Sequence, residues 1–323
     1  MERHRPCEVI VVGGGVIGLT TAVVLAESGR RVRIWSREPA ERTTSEVAGG
    51  LWWPYRIEPE ERVGGWSLAS YEVYAALAAT RSEETGVRMV AGVHGGASLD
   101  GLGPWAAEVP GLRAATSEEC PGGGLWARVP LIDMRVHLPW LRERFRAAGG
   151  VVEERAVSSL DEAAAEAPVV VNATGLGARE LVPDDSVHPV RGQLVVVENP
   201  GVDTWLTSVA DEADDGARST YFLPQPGRLL LGGTAEVGEW STEPDPAVAE
   251  AIVARCAAVR PEIAGARVLG HRVGLRPARP TVRLERESPP GRGGGVLVHN
   301  YGHGGAGVTV AWGCAREAAA LVG

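Results

Sequence analysis

The residues best suited to chemistry lie at the two ends of the chain. Near the start, Gly13-Gly14-Gly15-Val16-Ile17-Gly18 has the spacing GxGxxG. It follows a buried-strand pattern from Glu8 to Val12 and opens a helical pattern from Val16 to Ser28, with Gly29 as the helix's C-terminal cap. In that context the motif suits a pyrophosphate. The first glycine permits a tight turn, the second lets phosphate approach the backbone, and the third lets helix and strand pack closely. Near the end, Val296 to Val298 leads through a polar, glycine-rich turn, Tyr301 to Gly307, into an alanine-rich helical pattern from Val308 to Leu321. Strand, turn and helix again aim backbone N–H groups and a helix N-terminus at a negative ligand. Two such units suggest one ligand gripped from two sides.

Other stretches could read that ligand. A second strand, Val32 to Trp35, runs into Ser36-Arg37-Glu38. Glu38 could hold a ribose hydroxyl, or Ser36 and Arg37 could replace it. Arg37 would also suit a 2′-phosphate, which keeps a nicotinamide cofactor open. Arg42 to Tyr55 combines a hydroxyl cluster (Thr43, Thr44, Ser45) with small residues, suited to phosphate and ring contacts or to a polar loop entering a strand. Val169 to Val171 ends in Asn172-Ala173-Thr174-Gly175, small enough to lie against a nucleotide.

The intervening elements have to position these groups. Residues 66–85 read as a helix with an apolar face (Leu68, Tyr71, Val73, Tyr74, Leu77, Ala78), and residues 86–132 as short strands and turns. Val136 to Ala148 is a second amphipathic helix, its His137 a surface or packing residue, and Val151 to Glu154 a strand. Residues 190–240 read as antiparallel sheet, with strands at Gln193 to Val197, Ser219 to Leu223 and Arg228 to Gly232. An acidic loop (Asp211, Glu212, Asp214, Asp215) is a solvated loop or a lid. Ala247 to Val259 is a helix. In Gly274 to Pro280, which contains Arg276, the prolines argue against a regular central strand. The nucleotide-type elements alternate with the others, so two domains are expected to interleave: residues 1–50, 151–185 and 265–323 in one, 51–150 and 186–264 in the other.

Composition excludes several functions. The 323 residues carry a net charge of −9, which argues against a nucleic-acid or anionic-membrane surface. All 32 basic residues are arginine, so a Schiff-base lysine and a P-loop lysine are both excluded. Cys7, Cys120, Cys256 and Cys314 form no CxxC pair, and no metal site is expected. Reduced thiols and a cytoplasmic setting are the expectation, with one disulfide left open. Val9 to Ala26 is free of charge, but its three central glycines mark a buried strand and helix rather than a signal or membrane span.

Together these stretches resemble the D-amino-acid oxidase family of flavoenzymes over nearly the whole chain. The resemblance rests on VVGGGVIGLTTA at 11–22, TTSEVAGGLWWPY at 43–55, VVNATG at 170–175, RGQLV at 191–195, STYFLP at 219–224, VGLRPARPTVRLERE at 273–287 and HNYGHGGAGVTVAWGCA at 299–315. It implies an α/β fold: a Rossmann-like FAD-binding domain interleaved with a mainly antiparallel-sheet substrate domain. It implies FAD as cofactor, with contacts at Gly15, Val16, Ile17, Arg37, Thr43, Thr44, Ser45, Gly49, Gly50, Leu51, Val157, Arg276, Gly304, Gly305, Gly307 and Thr309. Arg276 and Tyr221 would take the substrate carboxylate, and Gly305 would offer its carbonyl to the amine. His299 and His303 would not act as acid or base, because hydride transfer from a neutral amino acid needs no proton pulled from carbon.

The resemblance further implies oxidation of D-amino acids by molecular oxygen to 2-keto acids, ammonia and hydrogen peroxide. The acidic loop favours neutral substrates; Arg218 keeps D-aspartate as the alternative. A non-catalytic dinucleotide-binding module is the reading from another class, and a homodimer is carried as the form of assembly. The chain departs from the family pattern at Ala217, where mammalian members carry a second tyrosine, at Trp53, where glutamine is common, and at Ala306, where tyrosine is common.

Overall fold

The computed structural model describes residues 7–54, 56–208, 218–287 and 295–323, without the side chain of Arg218. The acidic loop at 211–215 and Ala217 lie outside the described residues. The strands are β1 (Val9–Val12), β2 (Val32–Ser36), β3 (Val87–Gly95), β4 (Arg113–Ala114), β5 (Gly124–Ile132), β6 (Val151–Glu154), β7 (Val169–Asn172), β8 (His188–Glu198), β9 (Trp205–Ser208), β10 (Arg218–Gln225), β11 (Arg228–Thr234), β12 (Glu236–Val237), β13 (Val268–Glu287) and β14 (Val296–His303). The helices are α1 (Val16–Glu27), α2 (Thr44–Val47), α3 (Glu60–Thr80), α4 (Ser82–Thr85), α5 (Met134–Ala147), α6 (Leu160–Ala164), α7 (Ala178–Leu181), α8 (Pro246–Val259) and α9 (Gly307–Val322).

The strands form one sheet in the order β4-β5-β3-β9-β10-β11-β8-β13-β14-β7-β1-β2-β6, with β12 added to β8. From β14 to β6 all neighbours are parallel. From β9 to β14 all are antiparallel. The central parallel strands β1 and β7 are short and buried throughout (Val9 to Val12 and Val169 to Asn172), as strands covered on both faces must be. The largest core joins α1, α3, α5 and α9 to one face of the sheet. A second core, Val195, Val197, Phe222, Leu229 and Leu231 with Ala249, Ile252 and Cys256, seats α8 on the opposite face of the antiparallel part.

Four expectations are corrected. β13 is a central strand despite Pro277 and Pro280. Its ladder with β8 ends at Ala278, and its ladder with β14 is irregular between Ala278 and Arg283. The prolines therefore fall where the strand changes partner and few N–H groups are required. β14 continues to His303, because Arg283 and Leu284 pair with Tyr301 and Asn300, so the glycine turn shortens to residues 304–306. α3 begins at Glu60 rather than 66: Pro59 precedes it and Glu60 and Glu61 complement its dipole. Residues 86–132 hold two nine-residue strands, β3 and β5, paired along their whole length.

Candidate active site

The glycine motif forms a cradle that side chains would fill. Gly13 has φ +117°, and a β-carbon on it would stand 2.3 Å from the Ala173 carbonyl oxygen. One on Gly18 would stand 1.9 Å from the Gly13 carbonyl oxygen. The second glycine of the motif, Gly15, caps α1, whose first turn carries no acidic side chain. There the Val16 N–H donates to Ser45 Oγ at 2.9 Å, and a β-carbon on Gly15 would lie 3.0 Å from that oxygen and 3.9 Å from Thr43 Oγ1. So Gly15, Val16, Thr43 and Ser45, distant in sequence, meet at one helix N-terminus. Small residues, hydroxyls and N–H groups with no competing carboxylate fit the pyrophosphate of FAD.

The structure places Arg37 just past β2, largely exposed and 3.5 Å from the Glu38 carboxylate. The two candidates for the ribose end are thus each other's ion pair. Val157 packs against the apolar cluster that contains Ile10, Val12 and Trp35.

The segment from Thr43 to Trp53 is tied down at several points. Thr44 Oγ1 donates to the Leu275 carbonyl at 3.0 Å. Arg272 donates to both the carbonyl and carboxylate of Glu46. A β-carbon on Gly49 would meet Leu223, and one on Gly50 (φ +77°) would meet the Ile132 carbonyl. Leu51 bridges to Leu131. Thr309 Oγ1 accepts from the Trp53 N–H at 3.2 Å and donates to the Trp53 carbonyl at 3.1 Å. At the start of α9, Gly304 N–H donates to the Pro277 carbonyl, and a β-carbon on Gly307 would lie 4.0 Å from Ile17. The N-termini of α1 and α9 therefore adjoin. α9 also has no acidic residue in its first turn, so its positive end is left for a ligand.

Arg276 and Tyr221 converge on β11. Arg276 NH1 donates to the Thr234 carbonyl at 2.9 Å, and its guanidinium has no carboxylate partner among the described residues. The Tyr221 ring lies over Gly232 and Gly233, where β-carbons would come within 2.4 and 2.8 Å of its hydroxyl. The Arg276 stem passes Gly305, 3.4 Å from its β-carbon position. A half-buried guanidinium with donors to spare, a phenol and a glycine beside a helix N-terminus can together bind a small carboxylate. Sequence reasoning missed Gly192, Gly232 and Gly233, which make room for these side chains, and Thr234, whose carbonyl holds Arg276. The signal was present: glycine inside a strand pattern marks a close approach.

The histidines nearby are held neutral. His303 is buried with no partner on Nε2, and burial pushes its pKa down to about 3. His299 is lowered by burial and by Arg283; its ring lies 3.3 Å from both Asn172 and the Glu287 carboxylate. His137 is a packing residue, with Nδ1 2.9 Å from the Thr85 carbonyl. The four cysteines are free thiols, and no cluster of three metal-ligating side chains occurs among the described residues.

The model of the family described as "DAO: FAD dependent oxidoreductase" matches residues 8–321. The chain is 70% identical over 322 residues to a D-amino-acid oxidase of Streptomyces coelicolor, covering 99% of this chain and 98% of that protein. It is 52% identical over 327 residues to a D-amino-acid oxidase of Rubrobacter xylanophilus, covering 100% and 98%. Among solved structures, glycine oxidase from Geobacillus kaustophilus shares the fold, with a TM-score of 0.79 at 22% identity over 98% of this chain and 94% of that one.

Proposed function

The chain belongs to the D-amino-acid oxidase family of FAD-dependent oxidoreductases, and we propose that it acts on neutral D-amino acids through a carboxylate clamp of Arg276 and Tyr221. It oxidises D-amino acids with FAD as cofactor. The observation that carries the clamp is the Arg276 guanidinium, without a carboxylate partner among the described residues, directed to the same strand, β11, as the Tyr221 ring. The two relatives of highest identity reported above are named for D-amino acids at large, which supports a neutral substrate over D-aspartate.

In this reading Gly15, Val16, Ile17, Thr43, Thr44 and Ser45 hold the cofactor's phosphates, with Arg37 and Val157 at its adenosine end. Gly49, Gly50, Leu51, Gly304, Gly307 and Thr309 enclose the flavin, and Arg276 touches it as well as the substrate. The chemistry FAD supplies when bound is acceptance of hydride from the substrate Cα and delivery of two electrons to oxygen, giving hydrogen peroxide. The residues of the chain do the rest. Arg276 and Tyr221 fix the carboxylate, Gly305 accepts from the amine, and the amine lone pair forms the C=N bond as hydride leaves Cα. Water then converts the imino acid to keto acid and ammonia. The positive end of α9 favours the negative charge that reduction brings.

The two interleaved domains, 1–50 with 151–185 and 265–323, and 51–150 with 186–264, belong to the same proposal: the parallel strands β1, β2, β6, β7 and β14 all fall in the first set. No helix among the described residues is long and apolar enough to cross a membrane. A cytoplasmic homodimer completes the reading, supported for location by the free thiols.

The test offers purified protein D- and L-alanine, valine and aspartate, with the flavin spectrum recorded anaerobically and peroxide measured on admitting air. Bleaching by D-alanine and D-valine ahead of D-aspartate is expected. Arg276→Ala should abolish turnover and retain flavin; an Arg276→Ala enzyme of undiminished activity would sink the clamp.

A further inference from the structure

The sheet face that carries Tyr221 extends beyond it. Tyr221 on β10 pairs with Thr207 on β9, and Thr207 pairs with His94 on β3. Paired residues of neighbouring strands project from the same face. The three side chains therefore form a row on the face where Leu223 meets Gly49. Within the row, His94 Nδ1 lies 2.7 Å from Thr207 Oγ1. The other ring nitrogen of His94 has no partner among the described residues. The Trp53 ring stands beside His94, 5.1 Å from its ring and 5.8 Å from that of Trp205. So a hydrogen-bonding pair with capacity to spare stands in aromatic surroundings, where His94 is only 8% exposed.

Its distance from the clamp has a use. Tyr221 leans over Gly232 and Gly233, away from Thr207, which leaves the space above β10 and β9 to something else. The Tyr221 ring stands over β11, two strands from Thr207 or roughly 10 Å at the usual strand spacing, and the Arg276 guanidinium lies over Gly192 on β8, one strand farther. An extended amino acid with a side chain of three or four atoms measures about 5–7 Å from its carboxylate to the side-chain end, and a hydrogen bond of about 3 Å at each end lets it bridge such a gap.

We propose that Thr207 and His94 form the far end of the pocket for the substrate side chain, and that they select D-amino acids whose side chain ends in an uncharged hydrogen-bonding group. The proposal rests on the clamp reading above. A part-buried pair of this kind rewards a polar end that completes its hydrogen bonds, and is left with an unmet group by an apolar end of the same shape. It offers no full positive charge to a side-chain carboxylate.

D-asparagine and D-leucine are nearly isosteric and differ in this respect. The experiment measures kcat/KM for both on the holoenzyme, in the wild type and in Thr207→Val, Thr207→Ser and His94→Leu. The corresponding 2-keto acids give the same ratio as a binding measurement, read from flavin absorbance without turnover. The ratio of asparagine to leucine should fall about tenfold in Thr207→Val and His94→Leu, and recover in Thr207→Ser. A ratio unchanged in both variants, or a loss shared equally by both substrates, would overturn the proposal. Failure of the clamp reading looks different, since it shows in Arg276→Ala with D-alanine, whatever the ratio does.

Discussion

The guanidinium of Arg276 lies across Gly192: a β-carbon there would stand 2.4 Å from NH2, 2.5 Å from Cζ and 2.6 Å from NH1. The two residues sit diagonally on paired strands, since Gly192 pairs with Gly274 and Arg276 with Val190. The space that the missing side chain leaves is the space the guanidinium fills.

Gly192→Ala therefore tests the clamp without touching its donors. The methyl group must push the guanidinium off its resting place, and overpacking of this kind costs about 1–3 kcal/mol. We expect KM for D-alanine to rise about ten- to hundredfold with flavin content and spectrum retained. A normal KM would mean that Arg276 does not hold the substrate carboxylate from this position.

Thr309 serves a separate purpose. Its hydroxyl both accepts from and donates to the backbone of Trp53, and both residues are buried. Thr309→Val keeps the shape and leaves a buried N–H and a buried carbonyl unmet, at a cost of about 1–3 kcal/mol. The Leu51–Trp53 segment should loosen against the start of α9. The expected result is a Tm several degrees lower and a larger dissociation constant for FAD, both recovered in Thr309→Ser. Loss of stability with unaltered FAD affinity would separate this bond from the cofactor site.

The ends of the fold were legible because their signals are local. Gly13 and Gly18 sit where backbone oxygens leave room only for glycine, and the strand-turn-helix context is contiguous in sequence. The same holds for α8, where Asp245 caps the helix by accepting from Ala247 and Val248. What was not legible depends on partners far along the chain. β13 survives its prolines because it changes neighbour from β8 to β14 there, which only the sheet order reveals. The start of α5 is set by Asp133, which caps it and also pairs with Arg228 at 2.6 Å, 95 residues away. Thr207 and His94 carry no motif; only the register of β9 with β3 and β10 brings them beside Tyr221.

His137 gives the acid side of the stability curve a specific cause. It is fully buried on α5, with Nδ1 on the Thr85 carbonyl and no partner on Nε2. Burial pushes its pKa down to about 4, with Arg144 acting in the same direction and Thr85 against it. In the unfolded chain the value is about 6.5. Between those values the unfolded chain binds a proton that the native protein does not, so stability rises with pH. It is therefore lost as pH falls from about 6.5 toward 4, with no further loss from this residue below that. Over the step from pH 7.5 to 5.0 the loss amounts to about 2 kcal/mol. His137→Leu removes the group and should flatten this part of the curve, after a constant offset for the unmet Thr85 carbonyl. Urea unfolding of the holoenzyme at pH 7.5 and 5.0 measures both proteins alike. The wild type should lose about 2 kcal/mol more than the variant across that step, and equal losses would mean that His137 carries a proton in the native protein as readily as in the unfolded one.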